Sequence, residues 1–101
     1  MNTKKIIELG GTITFDDISH LNQLIDISMI VNDLKEDLFQ AVFPHEQIID
    51  IGWYPEFCEN GTFRVSLIKA YDWEHPIFSV KAKNWKDLHQ VILNTLNKLE
   101  I

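Results

Sequence analysis

The chain has 101 residues, of which 46% are hydrophobic, and it carries a formal net charge of −6 with a pI near 5.0. This length and composition predict one domain, residues 1–101, with a core that needs no metal or disulfide. The acidic balance argues against direct nucleic-acid binding, because phosphate recognition needs a basic surface. Residues 1–61 hold eleven acidic and three basic side chains, a net −8, whereas residues 62–101 carry +2. Such polarity indicates a directed electrostatic contact.

Cysteine use and hydropathy predict the compartment. Cys58 is the only cysteine, so no intrachain disulfide can form and a reducing environment fits best. The N-terminal apolar stretch contains only Ile6, Ile7 and Leu9, which is too short for a signal peptide. No apolar run approaches a membrane-spanning length. We therefore expect a cytoplasmic protein that has no contact with a membrane.

The first half of the chain gives two predicted elements. Residues 4–9 resemble a short strand, and two glycines follow it. Asp16 or Asp17 then offers a helix N-cap, and the apolar residues behind it recur at helical spacing. These patterns predict a first helix over about residues 17–30, whose apolar positions are Ile18, Leu21, Leu24 and Ile25.

Residues 36–43 fit either a helix or a strand. We favour a strand, because Pro44 and the polar residues 45–47 make a short connection to the next extended segment. Three later segments, residues 48–54, 62–69 and 77–83, alternate apolar and polar side chains, as antiparallel strands buried on one face do. Asn60-Gly61 supplies a hairpin turn between the first two of these segments.

A final helix begins after Asn84, which is a favourable N-cap. Its apolar stripe needs a partner surface, and the apolar face of the sheet provides one. The sequence therefore predicts an α+β fold in which an antiparallel meander of about four strands carries an N-terminal and a C-terminal helix on one face. The stripe consists of Trp85, Leu88, Val91, Ile92, Leu96 and Leu99.

Catalytic and metal-binding motifs are missing from the sequence. His45-Glu46 begins like a zinc-protease helix, but Ile49 stands where the second histidine belongs. The four histidines share no ligand spacing. Cys58 lies between Glu56 and Glu59, whose negative charges disfavour a reactive thiolate. We predict that the chain is not an enzyme and has no metal, cofactor or small-molecule substrate.

Exposed aromatic and acidic side chains give the candidate binding residues. Trp73 lies between two acids in a loop, where it either packs under the loop or anchors a partner. Two tyrosines are expected to point outward, and the acids of residues 33–37 form either a solvated face or a contact surface. The candidates for binding a partner are Tyr54, Glu56, Glu59, Tyr71, Asp72, Trp73, Glu74, Asp33, Glu36 and Asp37.

Residues 35–80 resemble small immunity proteins of bacterial contact-dependent growth inhibition and polymorphic-toxin systems. The resemblance lies in KEDLFQAVFP, IIDIGWYPE, ENGTFRVSLI and DWEHPIF. It implies a non-enzymatic inhibitor that binds the C-terminal domain of a cognate toxin, commonly a nuclease such as an RNase with a basic cleft. The alternatives are an interaction module with a non-toxin partner and a small enzyme.

Overall fold

A five-stranded antiparallel sheet organises the protein, and neighbours along the chain are also neighbours in the sheet. The computed structural model describes residues 3–100. It confirms the predicted α+β meander with two flanking helices, although it has five strands rather than about four. The strands are β1 (Thr12–Asp16), β2 (Phe39–Phe43), β3 (Gln47–Tyr54), β4 (Thr62–Lys69) and β5 (Phe78–Ala82), and the helices are α1 (Thr3–Glu8) and α2 (Trp85–Leu96).

The core lies on one side of the sheet, between the strands and both helices. Trp53 of β3 packs edge-on against Phe63 of β4, with 4.9 Å between their ring centroids, and Phe63 also contacts Trp85 of α2 at 5.1 Å. Leu88 and Ile92 of α2 are buried in the same cluster. The predicted N-cap holds, since the Asn84 side chain accepts a hydrogen bond from the Asp87 amide at 2.8 Å.

The opposite side of the sheet, which we call the second face, carries polar and aromatic side chains together with the buried pair Ile48 and Ile68. One row of side chains on this face, the central row, crosses all five strands. In this row each residue is the register partner of the next one on the neighbouring strand. Since paired residues of antiparallel strands share a face, these five side chains lie side by side. Both described helices pack against the core on the other side, while this row ranges from the buried Ser66 to the exposed Phe15 and Ser79. The row consists of Phe15, Gln40, Asp50, Ser66 and Ser79.

The predicted strand at residues 4–9 is wrong, because this segment forms α1. The Gly11 amide donates to the Ile6 carbonyl at 2.9 Å, and Gly10 has a φ of +88°. That geometry is the usual glycine stop at the end of a helix. Ile6 of this segment is buried in the core and Leu9 packs against it, whereas Ile7 is exposed. The strand lies further on, at β1.

The predicted helix over residues 17–30 is also wrong. Within residues 17–30 only one 3-10 turn forms, Ile27–Met29, and a second one, Val31–Asp33, follows it. Polar side chains take the amides that a helix would use: Asp16 accepts from Ser19, Asn22 from Leu24 and Asp26 from Ser28. Such local bonds compete directly with helical hydrogen bonding. Neither Asp16 nor Asp17 caps an α-helix, and Asp17 instead lies 3.8 Å from Lys35.

The remaining predicted strands are confirmed with small shifts at their ends. Residues 36–43 are extended from Phe39 onwards, and the three later segments form β3, β4 and β5. Trp53 is fully buried, and its indole N–H donates to the Cys58 carbonyl at 2.8 Å, which fixes the turn between β3 and β4. Within residues 3–100, no helix has the length and apolar character needed to cross a membrane.

Candidate functional site

Strand β4 separates the two loops that hold most of the candidate binding residues. Residues 55–60, the hairpin loop, join β3 to β4, and residues 70–76, the Trp73 loop, join β4 to β5. The eight residues of β4 place the two loops roughly 25 Å apart. The candidates therefore divide into two groups at opposite ends of the sheet.

The Trp73 loop leaves β4 through two residues with left-handed backbone, Ala70 at φ +54° and Tyr71 at φ +59°. The Ala70 amide donates to the Glu46 carbonyl at 2.9 Å, which ties the loop to the turn between β2 and β3. Asp72 pairs with His75 at 3.1 Å. Trp73 is 48% exposed, so about half of its surface packs and half faces solvent. Both roles considered for Trp73 remain compatible with this exposure.

At the other end of the sheet, the chain bulges over β3 just before β2 begins. The Trp53 amide donates to the Lys35 carbonyl at 2.8 Å, and the Leu38 amide donates to the Ile51 carbonyl at 3.0 Å. Glu36 and Asp37 form the bulge between these two bonds. The bulge therefore holds both acids beside the second face of β3.

Gly52 makes this close approach feasible. A Cβ atom at Gly52 would lie only 1.9 Å from the Glu36 carbonyl oxygen, which is far inside any allowed contact. The Glu36 amide also donates to a carboxylate oxygen of Glu56 in the hairpin loop, at 3.4 Å. The bulge, β3 and the hairpin loop thus meet at one place.

Asp50 and Tyr54 of β3 and Arg64 of β4 complete this region. Asp50 lies on the second face of β3, where burial and the nearby charge of Asp37 raise its pKa to about 6. Burial, together with the charges of Asp50 and Glu36, raises the pKa of Tyr54. The Arg64 guanidinium lies 4.8 Å from the centroid of the Tyr54 ring, a cation–π distance. We call the set Glu36, Asp37, Asp50, Tyr54 and Glu56 the acidic site.

An open cavity of about 270 Å³ adjoins the acidic site on the second face. Phe15 forms one wall, and its side chain is 42% exposed. Asp37 and Asp50 place two carboxyl groups on the lining. Such a cavity has the chemistry to bind a cation against an aromatic surface. Its lining residues are Phe15, Asp37, Phe39, Gln40 and Asp50.

The acidic site unites only part of the predicted set. Four of the predicted residues lie in it, namely Tyr54, Glu56, Glu36 and Asp37. Glu59 instead lines a separate groove with Asp26 and Lys83, and Asp33 lines another with Asp17 and Lys35. The four candidates of the Trp73 loop, Tyr71, Asp72, Trp73 and Glu74, lie at the far end of β4.

Sequence reasoning missed Asp50, Phe15 and Gln40. The alternation of β3 does place Asp50 on the face opposite Ile49 and Ile51, so its position on the polar face could be predicted from the sequence. Phe15 belongs to a Thr-Ile-Thr-Phe alternation between Gly11 and Asp16, a pattern typical of a strand. Nothing local indicated that Asp37 would lie beside Asp50.

Two further observations bear on the chemistry of the site. Across residues 3–100, no group of three or more His, Cys, Asp or Glu side chains is arranged to hold a metal ion. A carboxyl group with a pKa near 6 is half ionised in mildly acidic solution, so a cationic ligand would shift its protonation.

Comparisons of the chain with protein-family models, with curated proteins and with solved structures found no match. The geometry and charge of the site, together with the sequence resemblance, are therefore the grounds for a proposed function.

Proposed function

We propose that this chain is the immunity protein of a bacterial toxin–immunity pair. It binds the C-terminal domain of a cognate toxin in the cytoplasm and blocks the activity of that domain. The observation that supports this proposal best is the acidic site, where four carboxyl groups from three segments surround one exposed corner of the sheet. The net −8 of residues 1–61, which include all the residues of the acidic site, has the same sign.

The charge favours a nuclease toxin, such as an RNase. A nuclease presents basic side chains to the phosphates of its substrate, and carboxylates at fixed positions can occupy the same groups. Complementary charge speeds association, whereas buried aromatic contacts slow dissociation. Tyr54 belongs to the acidic site, and the exposed Phe15 lines the adjoining cavity.

Co-expression with a toxin tests this proposal. The toxin domain encoded immediately upstream is expressed with and without this chain, and growth and RNA integrity are followed. We expect the chain to restore growth. Absence of an adjacent toxin gene, or toxicity that is unchanged by co-expression, would overturn the proposal.

A second candidate function is an interaction module with a non-toxin partner. It is favoured by exposed apolar side chains outside the acidic site, namely Leu24 at 95% and Met29 at 75% exposure. Exposed apolar side chains of this kind contribute to protein–protein contacts when they lie together. The gene neighbourhood separates the two functions, because an immunity gene lies beside its toxin gene.

A further inference from the structure

We infer that the cavity beside Asp50 receives a single arginine or lysine side chain from a partner protein whose basic segment docks on the second face. The identity of that partner as a toxin rests on the proposed function. The binding of a basic side chain rests only on the residues of this chain.

The cavity has the size and shape for one side chain. Its volume of about 270 Å³ falls just below the roughly 300–1,000 Å³ of sites for drug-sized ligands. Phe15 and Asp50 lie on either side of Gln40 in the central row of the second face. A guanidinium group inserted here would stack on the exposed Phe15 ring and reach the Asp50 carboxylate. Gln40 lies between them, and its amide oxygen accepts a hydrogen bond from the Thr14 hydroxyl at 3.2 Å.

Asp50 has no counter-charge of its own. None of the ion pairs among residues 3–100 includes it. Its partners across the strands, Gln40 on β2 and Ser66 on β4, are neutral. A buried carboxylate without a cation is unfavourable, so charge complementarity selects a basic occupant.

The charged groups around Asp50 come from three elements. Asp37 of the bulge adds negative charge beside Asp50, Glu36 acts on Tyr54, and Tyr54 itself is neutral. Arg64 of β4 is the nearest base on this face, but its guanidinium lies over the Tyr54 ring. Phe15 on β1 carries no charge. An incoming cation therefore meets net negative charge in the cavity.

Docking should weaken as the pH falls, because the cation binds the ionised carboxylate. The pKa of Asp50 in the free protein is about 6, and pairing with a cation lowers it towards the ordinary value. Between pH 7 and pH 5 we expect affinity to drop about tenfold, since protonated Asp50 must lose its proton on binding.

The probe is a synthetic peptide, acetyl-Gly-Arg-Gly-amide, and its control contains citrulline, which has the same shape without the charge. Two-dimensional NMR of the isotope-labelled protein follows the titration at pH 7 and pH 5. We expect Phe15, Gln40 and Asp50 to shift with the arginine peptide, with about tenfold weaker binding at pH 5. The citrulline peptide should shift none of them.

The test variant is Asp50→Asn, which removes one negative charge at the cavity. The matched control is Glu8→Gln, which removes one negative charge from an exposed position of α1. Asp50→Asn should abolish binding and Glu8→Gln should preserve it. Equal binding by Asp50→Asn, or shifts confined to another surface, would overturn the inference. Tighter binding of spermidine than of the peptide would do the same, because it would indicate a small polyamine ligand. None of these measurements uses a toxin. Failure of this inference can therefore be distinguished from failure of the proposed function.

Discussion

Asp50 is the residue whose position works most clearly against stability. It lies half-buried on the second face, beside Asp37 and without a cation. Its raised pKa means that the folded protein holds the proton more tightly than the unfolded chain does. Stability therefore decreases as the pH rises from about 4 through about 6, and the full loss is present at pH 7.

Replacing Asp50 with Asn should stabilise the free protein at neutral pH. The shift from 3.8 to about 6 corresponds to about 3 kcal/mol, which solvent screening reduces to about 1–2 kcal/mol. We expect Asp50→Asn to raise the free energy of unfolding by that amount at pH 7 and to have little effect at pH 4.

Urea unfolding of both proteins at pH 4, 5, 6 and 7 measures this difference, with Glu8→Gln as the variant of equal charge. A destabilised Asp50→Asn protein at pH 7 would contradict the expectation. It would show instead that the carboxylate makes a favourable contact in the folded state.

At the scale of elements, the bulge before β2 determines where the acidic site lies. The Glu36 carbonyl lies against Gly52 because no side chain is present there. Backbone hydrogen bonds from Trp53 and Leu38 hold the two ends of the bulge. Asp37 reaches Asp50 only through this arrangement, and Glu56 contacts the same bulge through the Glu36 amide.

Gly52→Ala should displace the bulge. The added Cβ cannot fit 1.9 Å from a carbonyl oxygen, so the segment must move. We expect a loss of about 1–3 kcal/mol in the free energy of unfolding. The pKa of Asp50 should also fall, because Asp37 would lie further away. NMR titration of the Asp50 carboxyl carbon measures this effect.

Glu36→Gln is the matched control for Gly52→Ala, because it changes the charge of the bulge without moving its backbone. Burial and Asp37 raise the pKa of Asp50, so this control should leave that pKa unchanged. An unchanged Asp50 pKa in Gly52→Ala would mean that the bulge does not position Asp37.

The elements also explain which predictions succeeded. Strands β3, β4 and β5 were predictable because alternation with period two is visible within each segment. The helix over residues 17–30 was not, because Asp16, Asn22 and Asp26 bind nearby amides and prevent helical bonding. In the same way, Glu36 and Asp37 were visible as acids, but their contact with β3 depends on a bulge that no local pattern encodes.

At the scale of the whole molecule, the candidate acids divide between the two ends of the sheet. The acidic site lies near the hairpin loop, whereas Asp72 and Glu74 lie roughly 25 Å away at the other end of β4. An interface of ordinary size buries about 800 Å² on each partner, which corresponds to a patch with a radius of about 16 Å. Under the proposed function this patch is centred on the acidic site, so the acids of the Trp73 loop lie beyond its edge and should contribute less to binding.

Two charge-reversal variants test this inequality. The double variant Asp37→Lys, Glu56→Lys should associate with a basic toxin domain at least tenfold more slowly at low salt. Its association rate should also depend less on salt concentration. Asp72→Lys with Glu74→Lys changes the net charge equally and should slow association much less. Stopped-flow mixing at several salt concentrations measures both. A larger effect from the second pair would relocate the interface to the Trp73 loop.

The contact between Glu36 and Gly52 has a consequence for how recognition can change over generations. The bulge is anchored through main-chain atoms, so the side chains at positions 36 and 37 are not needed to keep it in place. Substitutions at these two positions can alter charge and shape while the core stays intact. Under the proposed function, such chains can match a changing toxin by altering two exposed positions while Gly52 is kept.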